Sequence, residues 1–183
     1  HPSGFFGELR DNWEAMAAVL AKRHAPIQLQ RLVPDASGDP VTLQADATVG
    51  RMVEVSGSTT VWKVLVEFVL PYPFWHELPQ VQRSAATSHS FTTGGTAPIN
   101  DMVLTFSGDG SLTYGDSTIA VEGSSGAVTV DVGQRKAFQG GNLDMSVLRL
   151  ADAAENWMEW PPQTAITLSS DVSVAVDYFN ARH

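Results

Sequence analysis

Among its 183 residues the chain has no cysteine. Disulfides therefore add nothing to its stability in any compartment, and a small secreted disulfide scaffold is excluded. Positive charge is scarce as well: 11 Lys and Arg stand against 20 Asp and Glu, a formal net charge of −9. No basic cluster interrupts that acidity, and a phosphate backbone would need the opposite sign, so nucleic acid is disfavoured as a partner. No apolar run approaches the roughly 20 residues that span a bilayer, and membrane insertion is not expected. No charged n-region precedes an apolar h-region in the manner of a signal peptide. The first residue is His1 rather than Met, as expected of a fragment or a trimmed chain.

Groupings that carry catalysis are equally sparse. The five histidines (His1, His24, His76, His89 and His183) show no HxH or HExxH spacing, and a zinc site needs three or four ligands, for which the case is thin without cysteine. Carboxylates are plentiful, for example Asp109 with Asp116, and Asp144 with Asp152 and Glu155. A glycosidase would need two of them facing each other across a cleft. They fall mainly in turn-like stretches, where Asp caps backbone with its own side chain. The loop SGDGSLTYGD sets Asp109 and Asp116 beside backbone carbonyls that could serve calcium, but it does not match the EF-hand pattern. No GxSxG occurs, and neither Gly94-Gly95 nor Gly140-Gly141 forms a phosphate loop. No catalytic residue, cofactor or metal is expected.

What remains is a chain built to fold. Hydrophobic residues make up 43% and charged residues 17%, which suffices for a sizeable core. One segment, GELRDNWEAMAAVLAKRH, has helical periodicity: Leu9, Trp13, Met16 and Leu20 form a stripe that should pack on a sheet. Lys22, Arg23 and His24 suit the negative end of its dipole, and Pro26 stops it. Beyond it the period becomes two, through IQLQRLV, VTLQADATV, RMVEV and TVWKVLVEFVL. This half reads as one helix on an antiparallel sheet or partial barrel. From about Ala85 the composition shifts to Ser, Thr and Gly, and SFTTGGTAPIN has the chemistry of a linker. Short apolar runs separated by turns (DMVLTFSG, SLTYGDSTIAVEGSSGAVTVDVG, MSVLRL, TAITLSS and DVSVAVDYF) then recur at sandwich spacing, with GSSG (Gly123 to Gly126) as a hairpin turn between TIAVE and AVTVDV. The expected class is mainly β with one helix (α+β). Residues 1–84 form the helix-plus-sheet part, 85–100 a linker, and 101–183 a β-sandwich.

Between the halves lies LPYPFWHELPQ (Leu70 to Gln80), crowded with Pro and aromatics. Proline cannot donate to a ladder, so no central strand is expected there. The stretch reads either as a ligand-binding lip or as the end of one domain leading into the next, and Tyr72, Phe74 and Trp75 are candidates for an inter-domain or partner interface. Trp157 and Trp160 in NWMEWPP join them as core or interface residues. Strand spacing would put those two on opposite faces, leaving at most one as a platform for sugar.

Four stretches taken in order carry a family likeness: NWEAMAAVLAKRHAPIQLQRLVPD, WKVLVEFVLPYPFWHE, GAVTVDVGQRKAFQGGNLDMSVLR and NWMEWPPQTAITLSSDVSVAVDYFNARH. Together they cover most of the chain, which resembles the distal tail protein family of long-tailed (siphovirus-type) bacteriophages, including minor tail proteins of actinobacterial phages. The resemblance implies a ring-forming first domain and a galectin-like sandwich, with the aromatics of LPYPFWHELPQ wedged at their junction. It implies a structural virion protein at the tail tip, made in the host cytoplasm. Other tail proteins (tail tube and tail hub) would be its partners, together with copies of itself in a homo-oligomeric ring. A glycan-binding sandwich is the alternative. Two departures stand out. Pro162 and Gln163 occupy positions where the family usually has Gly and Asn, and family members carry further hairpins before the helix.

Overall fold

The computed structural model describes residues 14–18, 26–35, 37–57, 62–150 and 157–183. Strands dominate it, with a single short helix, and a curled half-barrel sheet is accompanied by a second sheet. In chain order the strands are β1 (Ile27–Pro34), β2 (Pro40–Gly57), β3 (Trp62–Val69), β4 (Trp75–Leu78) and β5 (Val81–Thr92). There follow β6 (Met102–Phe106), β7 (Gly110–Tyr114), β8 (Ser117–Val121), β9 (Val128–Asp131), β10 (Lys136–Gln139) and β11 (Asn142–Leu143). The last are β12 (Leu148–Leu150), β13 (Ala165–Tyr178) and β14 (Ala181–Arg182).

The chain divides into two compact units, one of His1–Arg31 with Gln44–Pro73 and one of Leu32–Leu43 with Phe74–His183. In the first, β2 pairs antiparallel with β3, and its ladder shifts register between Val49 and Arg51 and again between Glu54 and Ser56. Ala45, Ala47 and Val49 alternate inward on β2 and are buried. Residues 14–18 are helical, but Met16 is 41% exposed, so it does not pack as the expected stripe requires. Leu9, Trp13 and Leu20, the rest of that stripe, lie outside the described residues.

In the second unit the tip of the β1–β2 hairpin, β4 and β14 are neighbours, in the order β1-β2-β4-β14. Contrary to the expectation that prolines exclude a central strand, Trp75–Leu78 is one. Pro73 and Pro79 lie outside those four residues, so no ladder donor is lost within them. The remaining strands form a nine-stranded sheet in the order β11-β10-β9-β6-β13-β7-β8-β12, with β5 also on β13. One edge of β13 is divided. Val174–Tyr178 pair with β6, whereas Ser169 and Ser170 pair with β7. On its other edge β5 pairs with both parts, from Ala165 opposite Thr92 to Tyr178 opposite Val81, with an irregularity between Ser169 and Val174. The sheet is thus two arms hinged on one bent pair of strands.

The bend closes the sandwich. Arg83 and Phe91 are eight residues apart on β5, about 26 Å along a straight strand, yet the Arg83 guanidinium lies 4.1 Å from the Phe91 ring centre. Tyr178 from one arm stacks on Phe91 from the other at 5.4 Å, and Trp160 meets both edge-on at 5.3 Å. Around this aromatic cluster the inward positions of β6 (Met102, Leu104, Phe106), β9 (Val128, Val130) and β13 (Ile166, Leu168, Val174, Val176) are fully buried. Each such side chain contributes about 1.5–3 kcal/mol of hydrophobic burial.

Three local expectations need correction. The stretch 85–100, expected as a linker, begins as strand, because Ser84 to Thr92 belong to β5. GSSG is no hairpin turn: β8 pairs with β7 and β12, and β9 with β6 and β10, so GSSG crosses between the arms. The hairpin turn of that region is Gly115-Asp116, which joins Tyr114 to its partner Ser117 with Gly115 at φ 56°. Finally, TAITLSS and DVSVAVDYF are one continuous strand, β13.

Candidate functional site

The aromatic stretch after Leu70 leads to a joint that holds the residues following β13. Phe179 to His183 lie between β4 and the segment Thr93–Ala97. His76 pairs with Ala181 and Trp75 with Arg182 across the β4–β14 ladder. The Glu77 amide donates to the Asn180 carbonyl at 2.8 Å, and the Thr96 and Ala97 amides both donate to the Ala181 carbonyl, at 2.8 and 3.0 Å. Side chains reinforce the backbone. The Gly94 amide donates to Asn180 Oδ1 at 2.8 Å, Arg182 is ion-paired with Glu77, and His76 Nε2 lies 3.2 Å from Asp101 Oδ2. His76 stacks on Phe179, and Phe74 meets the His183 ring edge-on, both at 5.0 Å between ring centres.

Glycine makes this joint fit. A Cβ on Gly95 would stand 2.2 Å from the Ala181 carbonyl oxygen, and one on Gly94 would stand 2.6 Å from the Asn180 amide nitrogen. Gly95 also has φ 75°, a conformation glycine adopts at no steric cost. The pair Gly94-Gly95 is therefore a close-approach joint. The other pair, Gly140-Gly141, turns β10 into β11 between the partners Gln139 and Asn142, with φ 56° and 82°.

The structure separates the five interface candidates. Phe74 and Trp157 are partly buried and pack against the sandwich core. Trp75 is half-buried within β4, and Tyr72 is half-buried in the first unit. Trp160 is fully enclosed at 0% exposure, bridged to Ile99 by hydrogen bonds in both directions, so it is a core residue and no platform for sugar. Nor do Trp157 and Trp160 occupy a regular strand with opposed faces; only an isolated bridge holds Trp160.

Two of the candidate carboxylates, Asp109 and Asp144, accept hydrogen bonds from loop backbone and serine hydroxyls. Asp109 Oδ1 accepts from the Ser124 amide (2.7 Å) and Ser124 Oγ (2.5 Å), and Oδ2 accepts from the Gly123 amide (2.9 Å). These bonds, that from the Ser124 hydroxyl foremost, hold its carboxyl below the ordinary 3.8. Asp109 is thus the tie that fixes the GSSG crossover. Asp144 caps a 3-10 turn, Met145–Val147, by accepting from the Ser146 amide and hydroxyl. Asp116 sits in the exposed β7–β8 turn, and Asp152 and Glu155 lie outside the described residues. Among the described residues no three His, Cys, Asp or Glu side chains are grouped to hold a metal ion. No helix there is long and apolar enough to cross a membrane.

What sequence reasoning missed is Arg83, a cation on the inner face of β5. A basic residue within a Ser/Thr-rich stretch gave no periodic signal of its position.

No protein-family model matches the sequence, and no curated protein matches it. The fold does have a counterpart. The chain superposes on the crystal structure of SPP1 Dit (gp 19.1) protein with a TM-score of 0.65 at 14% identity, over 96% of this chain and 72% of that one. That protein is described as a paradigm of the hub adsorption apparatus in phages that infect Gram-positive bacteria, and this chain shares its fold.

Proposed function

We propose that the protein is a structural component of a bacteriophage tail tip, a distal tail protein that joins the tail tube to the adsorption apparatus. The observation that carries this reading is the fold shared with SPP1 Dit along nearly the whole chain. The order of the four sequence resemblances supports it independently. The work is done by interfaces: copies of the chain assemble as a ring, and tail-tube and hub proteins bind it. The reading includes no catalysed reaction. A net charge of −9 keeps free subunits soluble before assembly. The glycan-binding alternative has lost Trp160 as a platform.

The test is electron microscopy of the purified protein together with antibody labelling of virions. Rings about a central hole, and label at the tail tip, are expected. Stable monomers that bind cell-wall polysaccharide and leave the tail unlabelled would overturn the proposal in favour of a glycan-binding module.

A further inference from the structure

A free strand edge is a row of unpaired amides and carbonyls, and proteins blunt such edges by shortness, charge, proline or irregularity. Most edges here are blunted. β11 and β14 are two residues long, and β12 is three and carries Arg149. β1 carries Arg31 and ends on Pro34, and β3 carries Glu67. β5 differs. It is twelve residues long, pairs with β13 alone among the described strands, and contains neither proline nor acid. Arg83 is its one charge, and its ladder is irregular only between Arg83 and Ser88, which leaves Ser88 to Thr92 a regular uncharged edge. Its exposed side chains, from Gln82 to Thr92, are Gln, Ser, Thr and Ala. Ser88 and Ser90 continue across β13 into Ser169 and Thr167, which gives a smooth hydroxyl-covered outer face beside that edge.

A second observation lies on the inner face of the same strand. Arg83, opposite Val176, is the one charged residue of β5. Its Nε is withdrawn from solvent without an acceptor, and no carboxylate pairs with it among the described residues. Phe91 supplies a ring face but no counter-charge.

We propose that the outer edge of β5 is a strand-addition site for an extended segment of a partner protein, and that this segment presents a carboxylate to Arg83. Backbone ladder bonds would supply affinity, and the carboxylate would set the register. A second copy of β5 does not fit, because Val81–Thr92 contains no Asp or Glu and would bring Arg83 a like charge. The inference does not rest on the tail reading.

The probe is a synthetic twelve-residue peptide alternating Thr and Val with one central Glu, compared with the same peptide bearing Gln. In the free protein, hydrogen exchange should be faster at β5 amides than at β13 amides. The Glu peptide should slow it at β5 and bind about tenfold more tightly than the Gln peptide, as a charged hydrogen bond warrants. Ser88→Lys with Ser90→Lys, both on exposed positions, should weaken either peptide, and Arg83→Gln should abolish the preference for Glu. If Arg83→Gln does not fold, the two peptides on the unaltered chain still decide the matter. β5 amides as slow as those of β13 in the free protein, equal affinity for both peptides, or binding indifferent to the two lysines would each overturn the proposal.

Discussion

Gln163 holds φ 52°, in the left-handed region that costs a non-glycine residue about 1–2 kcal/mol. Its side-chain amide donates to the Gly95 carbonyl at 3.1 Å, which offsets part of that cost. Gln163→Asn should therefore leave stability within about 1 kcal/mol of the parent, because Asn tolerates this conformation. Gln163→Val should cost about 2 kcal/mol or more, since a β-branched side chain fits there worst. Urea midpoints at constant m-value will separate the two. Asp109 gives a pH-dependent counterpart. Its folded-state carboxyl lies below 3.8, so its contribution is fully present above that value and is lost as pH falls through the lower folded value. Comparing the parent with Asp109→Asn at pH 5 and pH 3, the stability gap should narrow at the lower pH. A gap that widens would mean that the carboxylate is not what ties Gly123 and Ser124.

At the scale of elements, legibility followed from which face carried the apolar residues. MVLTF and DVSVAVDY alternate cleanly, and they lie in strands whose inward Met102, Leu104, Phe106, Val174, Val176 and Tyr178 are buried. β5 hid for a physical reason. Its outer face is Ser and Thr, and its inner face mixes Arg83 and His89 with Phe91. His89 is tolerated inside because its Nε2 lies 2.8 Å from the Val174 carbonyl. No periodicity survives such a mixture, and composition alone suggested a linker. GSSG misled in the opposite direction, since its turn chemistry is real while its partners lie elsewhere in the sheet. The interface aromatics were legible only as large and apolar; nothing local distinguished enclosed Trp160 from half-buried Trp157. Proteolysis should reflect the observed elements. Limited digestion should spare Ser84 to Thr92, which one edge of the ladder ties to β13, and cut first at exposed positions such as Ser125-Gly126. Fragments that begin within 84–92, released while GSSG stays intact, would contradict the strand assignment.

For the whole molecule, the decisive fact is how much depends on one late strand. β13 is the neighbour of β5, β6 and β7, and its partners on β5 lie between 73 residues away (Ala165 and Thr92) and 97 residues away (Tyr178 and Val81). Contacts of such separation reward the chain only after a long loop has closed, and β-rich domains of this kind fold in milliseconds to seconds rather than microseconds. Refolding monitored by tryptophan fluorescence should fall in that slower range, because Trp160 is enclosed only when Phe91 and Tyr178 meet. A microsecond phase carrying the full amplitude would show that the arms form without their shared hinge. On the ribosome the same arrangement sets an order of events. At about 5–20 residues per second, β5 has emerged several seconds before Tyr178 is made. The nascent chain must wait through that interval with the inner faces of β6 and β9 uncovered, so it exposes apolar surface of the kind chaperones bind until β13 closes on it.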